Sequence, residues 1–470
     1  MRDFLLFTFR FLLSFPRKLW LACLLAWLTA GSAGWGQSIQ TILSNGSVSN
    51  RFNVVVLSEG YTNNELSQFL IDATNAVNVL LSHPPFQEYR SYFNAYAIKV
   101  ASNQSGSDHL AYNTFRDTYF NSFFDESEFF IEIPPGSTGQ GRVDALLQTY
   151  LPQCHLPILL VNDLTDGGSD GFFRTAIVSK GGLAYESSVG QPGMLSHESG
   201  HVMANLGDEY AYGGYTYTNL NEPNTTQETN RLLVKWKAWI DPATPVPTPN
   251  EYGDGIVGLF QGARYQPTGW YRPQLNCAMG ALGVPFCAVC REALVLAVYA
   301  RARPVDSWLP LSTNLWVTNP QPIPFTLSLQ QPATHSLTVQ WYTNGLPVPG
   351  ATNAGFSLLP GALPGGSNQV KVVVHDPTTL VRNDPTNLLS QTLSWTVHTL
   401  RLYSATMSAG QFRCRVVGDT AQPVVVLSST NLVNWAREKT NSLVNGQFWF
   451  TNAAAGTSAR RFYRAASPPL

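Results

Sequence analysis

Residues 196–210 read SHESGHVMANLGDEY and contain two histidines four positions apart, His197 and His201, with Glu198 directly after the first. Residues four apart lie on one face of an α-helix, so both imidazoles can bind one metal ion. In this HExxH pattern the glutamate reaches a water that zinc makes acidic, and it acts as general base and acid. We therefore predict a Zn²⁺ ion on the two histidines. The alternative is a helix with two partly buried histidines and no metal.

The third metal ligand must come from beyond the helix. If the helix continued, Asp208 would lie about 10 Å along its axis from the second histidine, at about 1.5 Å per residue. The helix is therefore expected to end, because Gly207 can take a positive φ and Asn205 tolerates the same conformation. We expect Asp208 to be the third ligand, and Glu209 and Glu222 remain alternatives.

The residues on both sides of this motif, 37–303, alternate between predicted strands and helices. Apolar runs predict strands at Phe52–Leu57, Phe93–Val100, Pro157–Val161 and Phe173–Val178. A capping box that begins at Thr62 predicts a helix, and a second helix is predicted at Val143–Tyr150. This alternation is typical of a sheet with helices packed on it, an α/β (α+β) domain.

Downstream, the sequence changes to short β-type runs separated by Pro, Gly and Asn turns. Residues 304–400 are predicted to form an all-β immunoglobulin-like sandwich, with Trp341 before an Asn-Gly turn. Residues 401–470 are predicted to form a small C-terminal β module. The expected fold is therefore multidomain, and the α/β unit carries the chemistry.

The N-terminus has the pattern of a secretory signal peptide. Basic residues precede an apolar run at Leu19–Thr29, and small residues follow it. We predict that residues 1–36 are a signal peptide and that the protein is secreted, periplasmic or at the cell surface. An uncleaved membrane anchor is the alternative.

The composition limits the classes of function. Charged residues make up 13% of the chain and hydrophobic residues 44%, which excludes a disordered protein. The net charge is −1 and the chain lacks runs of Lys or Arg, so no nucleic-acid partner is expected.

The cysteines outside the leader include a CxxC pair, Cys287 and Cys290, and an upstream Cys277. In an oxidising compartment Cys277 can close a short loop with either of the other two. A structural zinc site is not expected at the CxxC pair, because the chain has no second CxxC.

Many short blocks around the HExxH motif occur in one order. They are Leu57-Ser58-Glu59-Gly60-Tyr61, Pro85-Phe86-Gln87-Glu88-Tyr89, Ser105-Gly106-Ser107-Asp108-His109, Glu222-Pro223-Asn224, Lys235-Trp236-Lys237, Gly258-Leu259-Phe260-Gln261-Gly262-Ala263, Tyr271-Arg272-Pro273, Asn276-Cys277-Ala278-Met279 and Phe286-Cys287-Ala288-Val289-Cys290. With these blocks, residues 52–303 resemble the bacterial IgA-peptidase-type zinc metallopeptidases, the igalysins, a branch of the metzincins.

The resemblance implies a metzincin-like catalytic domain with His197, His201 and Asp208 as zinc ligands and Glu198 as acid/base. It identifies Met279 with the metzincin Met-turn, a methionine beneath the metal. Tyr271 and Arg272 are candidates to stabilise the oxyanion, and an exposed Tyr-Arg-Pro loop without a catalytic role is the alternative. Where family members commonly have Gly in the turn after the second histidine, this chain has Ala204-Asn205.

The sequence therefore predicts an exported zinc endopeptidase that acts on a protein or peptide substrate and is a monomer. One alternative is a catalytically idle surface protein with a structural zinc, whose C-terminal β modules bind a glycan or the cell surface. The intact Glu198 argues against it. Another alternative is a zinc amidase that acts on cell-wall peptides.

Overall fold

A computed structural model describes residues 37–171, 174–213, 221–317, 321–420 and 422–467. The predicted signal peptide at 1–36 lies outside the described residues. Within the described ranges, no helix combines the length and the apolar character needed to cross a membrane.

The described residues before Arg303 contain the α-helices and a set of mostly short strands. The strands are β1 (Ser38–Leu43), β2 (Phe52–Glu59), β3 (Phe93–Lys99), β4 (Asp108–His109), β5 (Phe123–Phe124), β6 (Ile131–Glu132), β7 (Leu156–Val161), β8 (Gly168–Ser169), β9 (Ala176–Ser179), β10 (Phe260–Ala263) and β11 (Gln266–Arg272). The α-helices are α1 (Leu66–Leu80), α2 (Gln140–Tyr150), α3 (Lys180–Val189), α4 (Met194–Ala204) and α5 (Ala288–Tyr299).

The central sheet of this unit has the strand order β1-β3-β2-β7-β9-β8. Its inner strands run parallel, and the edge strands β1 and β8 pair antiparallel. Helices cover both faces: α1, α3, α4 and α5 pack on one face and α2 on the other. Every residue of β2 and β7 is therefore buried, which explains why these strands are continuous apolar runs without alternation.

Most of the predicted elements of this unit are confirmed. Three of the predicted strands correspond to β2, β3 and β7, and the capping box that begins at Thr62 lies directly before α1. The strand predicted at Phe173–Val178 starts later, at Ala176, and Phe173 lies outside the described residues. It starts later because the two residues before Ala176 still belong to a turn that closes on the carbonyl of Asp170.

The described residues after 304 contain strands and two short 3-10 helices, without an α-helix. Residues 305–399 form β12 (Val305–Leu309), β13 (Asn314–Trp316), β14 (Ile323–Leu329), β15 (Thr338–Thr343), β16 (Leu346–Pro347), β17 (Gly355–Leu358), β18 (Gly366–His375) and β19 (Ser390–Thr399). Residues 401–466 form β20 (Arg401–Ser408), β21 (Gln411–Val417), β22 (Val424–Ser429), β23 (Ala436–Asn441), β24 (Gln447–Asn452) and β25 (Phe462–Ala466).

Each of these two segments encloses its own core. In the first, the sheets β12-β14-β17 and β13-β19-β18-β15-β16 share a core around Phe325, Trp341 and Trp395. In the second, the sheets β20-β21-β24 and β23-β22-β25 share a smaller core around Val426 and Phe450. The structure is thus a multidomain, β-rich α/β protein, as predicted. The domain boundaries at 303 and 400 stay predictions.

A buried carboxylate joins the α/β unit to the segment that follows it. Asp376, after β18, is fully buried and accepts hydrogen bonds from the hydroxyls of Tyr89 (2.9 Å) and Tyr299 (2.6 Å). His335 lies 2.5 Å from its other oxygen. These contacts hold the C-terminal end of α5 against the β segment.

Candidate metal centre

Helix α4 carries the HExxH motif across the buried side of the sheet. Its residues Met194 to His201 are buried. Glu186 of α3 lies at its first turn and accepts hydrogen bonds from the main-chain N–H and the hydroxyl of Ser196. A carboxylate at a helix N-terminus satisfies free N–H groups and interacts favourably with the helix dipole. The helix that holds the two histidines is therefore fixed at its start.

The helix ends directly after the motif, as the sequence requires. Asn205 takes the left-handed conformation (φ 51°, ψ 40°), and its N–H bonds to the carbonyls of Gly200 and His201. Asn205 thus makes the turn that ends the helix. Gly207 does not have the positive φ that the sequence suggests; a Cβ there would force the Glu222 carboxylate to move.

After this turn the chain returns to the two histidines. The Nε2 atoms of His197 and His201 lie 3.1 Å apart, and Asp208 Oδ1 lies 3.1 Å from the first and 3.5 Å from the second. All three side chains are buried, and they form a group whose ligand atoms lie within 4.8 Å of one another. Among the three carboxylates proposed as third ligand, Asp208 is the one that this group contains.

The hydrogen bonds of the imidazoles decide which ring nitrogens face each other. Nδ1 of His197 lies 2.8 Å from the carbonyl oxygen of Ala278, and Nδ1 of His201 lies 2.6 Å from that of Leu206. A carbonyl oxygen only accepts, so each Nδ1 carries a proton and donates it. The two Nε2 atoms therefore point at one shared position, the arrangement in which metal-ligating histidines are held.

Asp208 sets the charge of this position. Burial disfavours a charged imidazole, but the Asp208 carboxylate outweighs that effect and raises the pKa of His201 to about 10. Burial also opposes ionisation of Asp208, yet the two histidines hold its pKa well below the usual range. The negative charge that favours a proton between these groups equally favours a metal cation there.

Glu198 is a buried carboxylate next to the same position. Burial raises its pKa to about 7, so it can gain and lose a proton near neutral pH. A bound cation would lower this pKa, because it stabilises the carboxylate.

His197, His201, Asp208 and Glu198 line one cleft of about 680 Å³. Its walls include the exposed phenylalanines Phe129 and Phe130, together with Tyr210 and Tyr265. The cleft therefore offers apolar surface beside a strongly polar floor, as ligand-binding clefts usually do.

Tyr265 is a site residue that the sequence analysis did not identify. Its hydroxyl donates a hydrogen bond to Asp208 Oδ2, which leaves Oδ1 facing the histidines. The ring reaches this place through a tight turn after β10, in which Arg264 and Tyr265 both have a positive φ. No sequence pattern signals such a turn, although the block Gly258–Ala263 ends just before it.

Met279 lies beneath the helix that carries the motif. It is fully buried, and a Cβ built on Gly200 would lie 3.0 Å from its sulfur atom. Its carbonyl accepts the N–H of Glu209 at 2.7 Å. Met279 thus packs against the turn that separates the two histidines and also holds the residue that follows Asp208.

The structure places the other predicted residues elsewhere. Glu222 forms a buried ion pair with Arg264 at 2.9 Å. Arg272 donates to the main-chain oxygens of Glu209 (2.6 Å) and Gly262, and Tyr271 pairs through its backbone with residue 226. Neither Tyr271 nor Arg272 lines the cleft, so the structure gives them a role in holding loops and does not place them near an oxyanion.

Glu209 points away from the histidines, toward three cysteines. Its carboxylate forms a second buried group with Cys277, Cys287 and Cys290, whose ligand atoms lie within 4.8 Å of one another. The spacing of the CxxC pair does not point to this glutamate, which is 68 or more residues away in sequence. The three cysteines are free thiols in the structure.

His109 stabilises one wall of the cleft. Its Nδ1 lies 2.5 Å from Glu128 and its Nε2 lies 3.1 Å from Asp163, while its ring stacks on Phe124. Glu128 directly precedes the two cleft phenylalanines. Burial alone would lower the pKa of His109, but the hydrogen bonds to the two carboxylates raise it above its ordinary value.

The pKa of His109 is higher in the folded protein than in the unfolded chain. The contribution of His109 to stability is therefore complete below about pH 6.5, and it is lost as the pH rises through the folded pKa. We expect His109→Gln to lower the free energy of unfolding on the order of 1 kcal/mol at pH 6 and less at pH 9. Urea unfolding at both pH values measures this. His375→Gln is the control, because His375 contacts the Ser390 hydroxyl. An equal loss at both pH values for His109→Gln would contradict the prediction.

Comparison with known proteins gives one family. The chain matches the model of the IgA Peptidase M64 family over residues 41–254 and 250–298. None of the curated proteins compared with the chain matches it.

Two solved structures show weak likeness. The apo structure of Bacteroides uniformis β-glucuronidase 3 matches 42% of this chain and 27% of its own length, with 10% identity and a TM-score of 0.13. A chain from a chaperone-tip adhesin complex of CFA/I fimbriae biogenesis matches 34% of this chain and 93% of its own length, with 12% identity and a TM-score of 0.14. The chain thus spans about a quarter of the first structure, and these scores carry no argument about fold or function.

Proposed function

The chain belongs to the IgA peptidase M64 family and is therefore a peptidase, and we propose that it is an exported, zinc-dependent endopeptidase. In this proposal His197, His201 and Asp208 bind the zinc ion, and Glu198 is the general base and acid. Export rests on the signal-peptide pattern of residues 1–36.

The observation that carries the zinc proposal is the convergence of two Nε2 atoms and one carboxylate oxygen. Zinc binds histidine nitrogen at about 2.0–2.1 Å and carboxylate oxygen at similar lengths in a tetrahedron, so its ligand atoms lie about 3.3 Å apart. The corresponding distances here are 3.1, 3.1 and 3.5 Å. Three protein ligands leave a fourth position for water or substrate, which is typical of catalytic zinc.

When bound, zinc supplies a Lewis acid that polarises a carbonyl and makes a water acidic near neutral pH. Glu198 then accepts a proton from the attacking water as the water adds to the scissile carbonyl carbon. As the C–N bond breaks, Glu198 donates this proton to the amine nitrogen, so that the leaving group departs neutral. The buried position of Glu198, in the same cleft as the three ligands, supports both transfers.

Tyr265 has a positioning role in this proposal. Its hydrogen bond to Asp208 Oδ2 orients the other oxygen toward the histidines, and such outer contacts typically contribute 10- to 100-fold in metal affinity or activity. We expect Tyr265→Phe to weaken zinc binding about 10-fold or more, measured by competition with a chromophoric chelator. Tyr252→Phe, outside the cleft, is the matched control. Equal zinc affinity in Tyr265→Phe and Tyr252→Phe would contradict the positioning role of Tyr265.

We also propose that the α/β unit is metzincin-like and that residues 304–400 are immunoglobulin-like. The position of Met279 beneath α4 supports the first proposal. Two sheets packed around Trp341 support the second, although β13 and β19 pair in parallel.

Cleavage profiling of the purified protein tests the function. We expect it to cut internal bonds of a peptide library, to lose this activity with a zinc chelator, and to regain it with added zinc. Cleavage of cell-wall stem peptides alone would favour the amidase, and zinc binding without any cleavage would favour the idle surface protein. Undiminished cleavage after complete zinc removal would contradict the proposal.

A further inference from the structure

We propose that Glu209, Cys277, Cys287 and Cys290 bind a second zinc ion, in a closed, structural site behind the catalytic centre. This site does not depend on the proposed hydrolysis, and no ligand is shared with the histidine group. All four residues are buried, with exposed fractions of 1%, 1%, 3% and 0% in the order named. Their burial keeps the site away from the substrate cleft.

The distances between the ligand atoms fit a tetrahedral ion. Zinc binds cysteine sulfur at about 2.3 Å and carboxylate oxygen at about 2.0–2.2 Å, so sulfur atoms lie about 3.8 Å apart and sulfur and oxygen about 3.5 Å apart. The sulfur atoms of Cys277 and Cys290 are separated by 3.6 Å. Glu209 Oε1 lies 3.2 Å from the sulfur of Cys290 and 3.8 Å from that of Cys287. A disulfide would instead need a sulfur–sulfur distance of about 2.05 Å.

The Glu209 carboxylate is incompletely satisfied within the described residues. Asn224 donates to Oε1 at 2.8 Å, but Oε2 is buried without a hydrogen-bond partner. The nearby Arg272 directs its Nη1 to main-chain oxygens, among them that of Glu209. A buried carboxylate with a free oxygen is costly unless a cation compensates it. A metal ion between the carboxylate and the sulfur atoms provides this compensation.

The backbone directs N–H donors at two of the cysteine sulfur atoms. Cys287 caps the N-terminus of α5, where the helix dipole stabilises negative charge. The N–H of Cys287 lies 3.2 Å from the sulfur of Cys277, and the N–H of Cys290 lies 3.4 Å from the sulfur of Cys287. Donors aimed at sulfur orient and stabilise thiolate ligands of a metal. Thiolate-rich tetrahedral sites select zinc among the common divalent ions.

This second ion would hold the backbone that orients the catalytic ligands. Glu209 follows Asp208 directly, and its N–H bonds to the carbonyl of Met279. The residue after Cys277 is Ala278, whose carbonyl accepts the Nδ1 proton of His197. One ion at the proposed site thus joins three segments: the loop after α4, the loop of residues 277–279 and the start of α5. The sequence suggested a disulfide at this place.

Metal analysis and cobalt substitution test the proposal. We expect two zinc ions per purified wild-type chain, one in His201→Ala and one in the double variant Cys287→Ser/Cys290→Ser. Cys414→Ser is the control, since this buried cysteine lies in the C-terminal segment, and it should retain two. After exchange with Co²⁺, His201→Ala should keep the thiolate-to-cobalt charge-transfer absorption, and the double cysteine variant should lack it.

The His201→Ala measurement uses native cysteines, so it decides the question even if the double cysteine variant does not fold. A single zinc in the wild type together with thiolate-to-cobalt absorption would support this site and contradict the catalytic zinc. A His201→Ala protein without metal or thiolate-to-cobalt absorption would overturn the inference. A Cys277–Cys290 disulfide, found by mass spectrometry of the wild type, would also overturn it.

Discussion

Replacing Glu198 by glutamine is expected to lower kcat/KM about 10²- to 10⁴-fold while the zinc content stays the same. Glutamine has nearly the same shape, but it cannot accept the proton of the attacking water. Glu198 lines the cleft beside the histidine group without being one of its members, so its loss should remove proton transfer and leave metal binding intact.

The comparison variant is Glu251→Gln, because Glu251 is exposed and does not line the cleft. Zinc analysis and peptide cleavage of both variants and the wild type, at one pH, complete the test. Retained cleavage in Glu198→Gln would rule out its role as base. Loss of zinc from this variant would show instead that Glu198 holds the metal.

Replacing Asp208 by alanine is expected to lower the zinc affinity of the histidine site more than about 100-fold, beyond the usual effect of an outer-contact residue. Activity should fall with it, because Asp208 supplies the only carboxylate oxygen in the described histidine group. The alanine also leaves the two Nε2 atoms without the negative charge that favours a cation between them.

Glu222→Gln separates this result from a general effect of losing a buried carboxylate. Glu222 pairs with Arg264, and we expect this variant to be less stable but to keep the zinc of the histidine site. Competition with a chromophoric chelator gives the affinities, and thermal unfolding gives the stabilities. Equal loss of zinc in the two variants would contradict the assignment of Asp208.

Local sequence patterns were sufficient to predict the parts of the site that depend on one helix. Residues four apart face one way on any helix, so His197 and His201 could be paired without a structure. The need for the helix to break before Asp208 followed from helix rise alone. Helix rise does not decide which residue breaks it: the left-handed residue is Asn205, and a Cβ on Gly207 would force the Glu222 carboxylate to move.

Contacts between distant segments could not be predicted in the same way. Tyr265 reaches Asp208 from a turn 57 residues away, and Glu209 meets Cys287 across 78 residues. Arg272 is proposed from the sequence as an oxyanion-stabilising residue, but it binds main-chain oxygens that no sequence pattern marks. Patterns of spacing report on one element at a time, whereas these contacts depend on how loops pack.

The fold likewise has elements that local sequence patterns predict and elements that they do not. The buried strands β2 and β7 were identified by their apolar runs, since strands covered on both faces lack alternation. The short strands β4, β5 and β6 were not predicted, because two residues carry no periodicity. These strands support the loop that forms the aromatic wall of the cleft.

The most direct test of the central claim is a crystal structure of the zinc-loaded protein with anomalous data collected at the zinc edge. We predict an anomalous peak at about 2.0–2.1 Å from Nε2 of His197 and of His201, and at a similar distance from a carboxylate oxygen of Asp208, with no fourth protein ligand. A map without a peak between these three side chains, or with a fourth protein donor bound to the ion, would contradict the account.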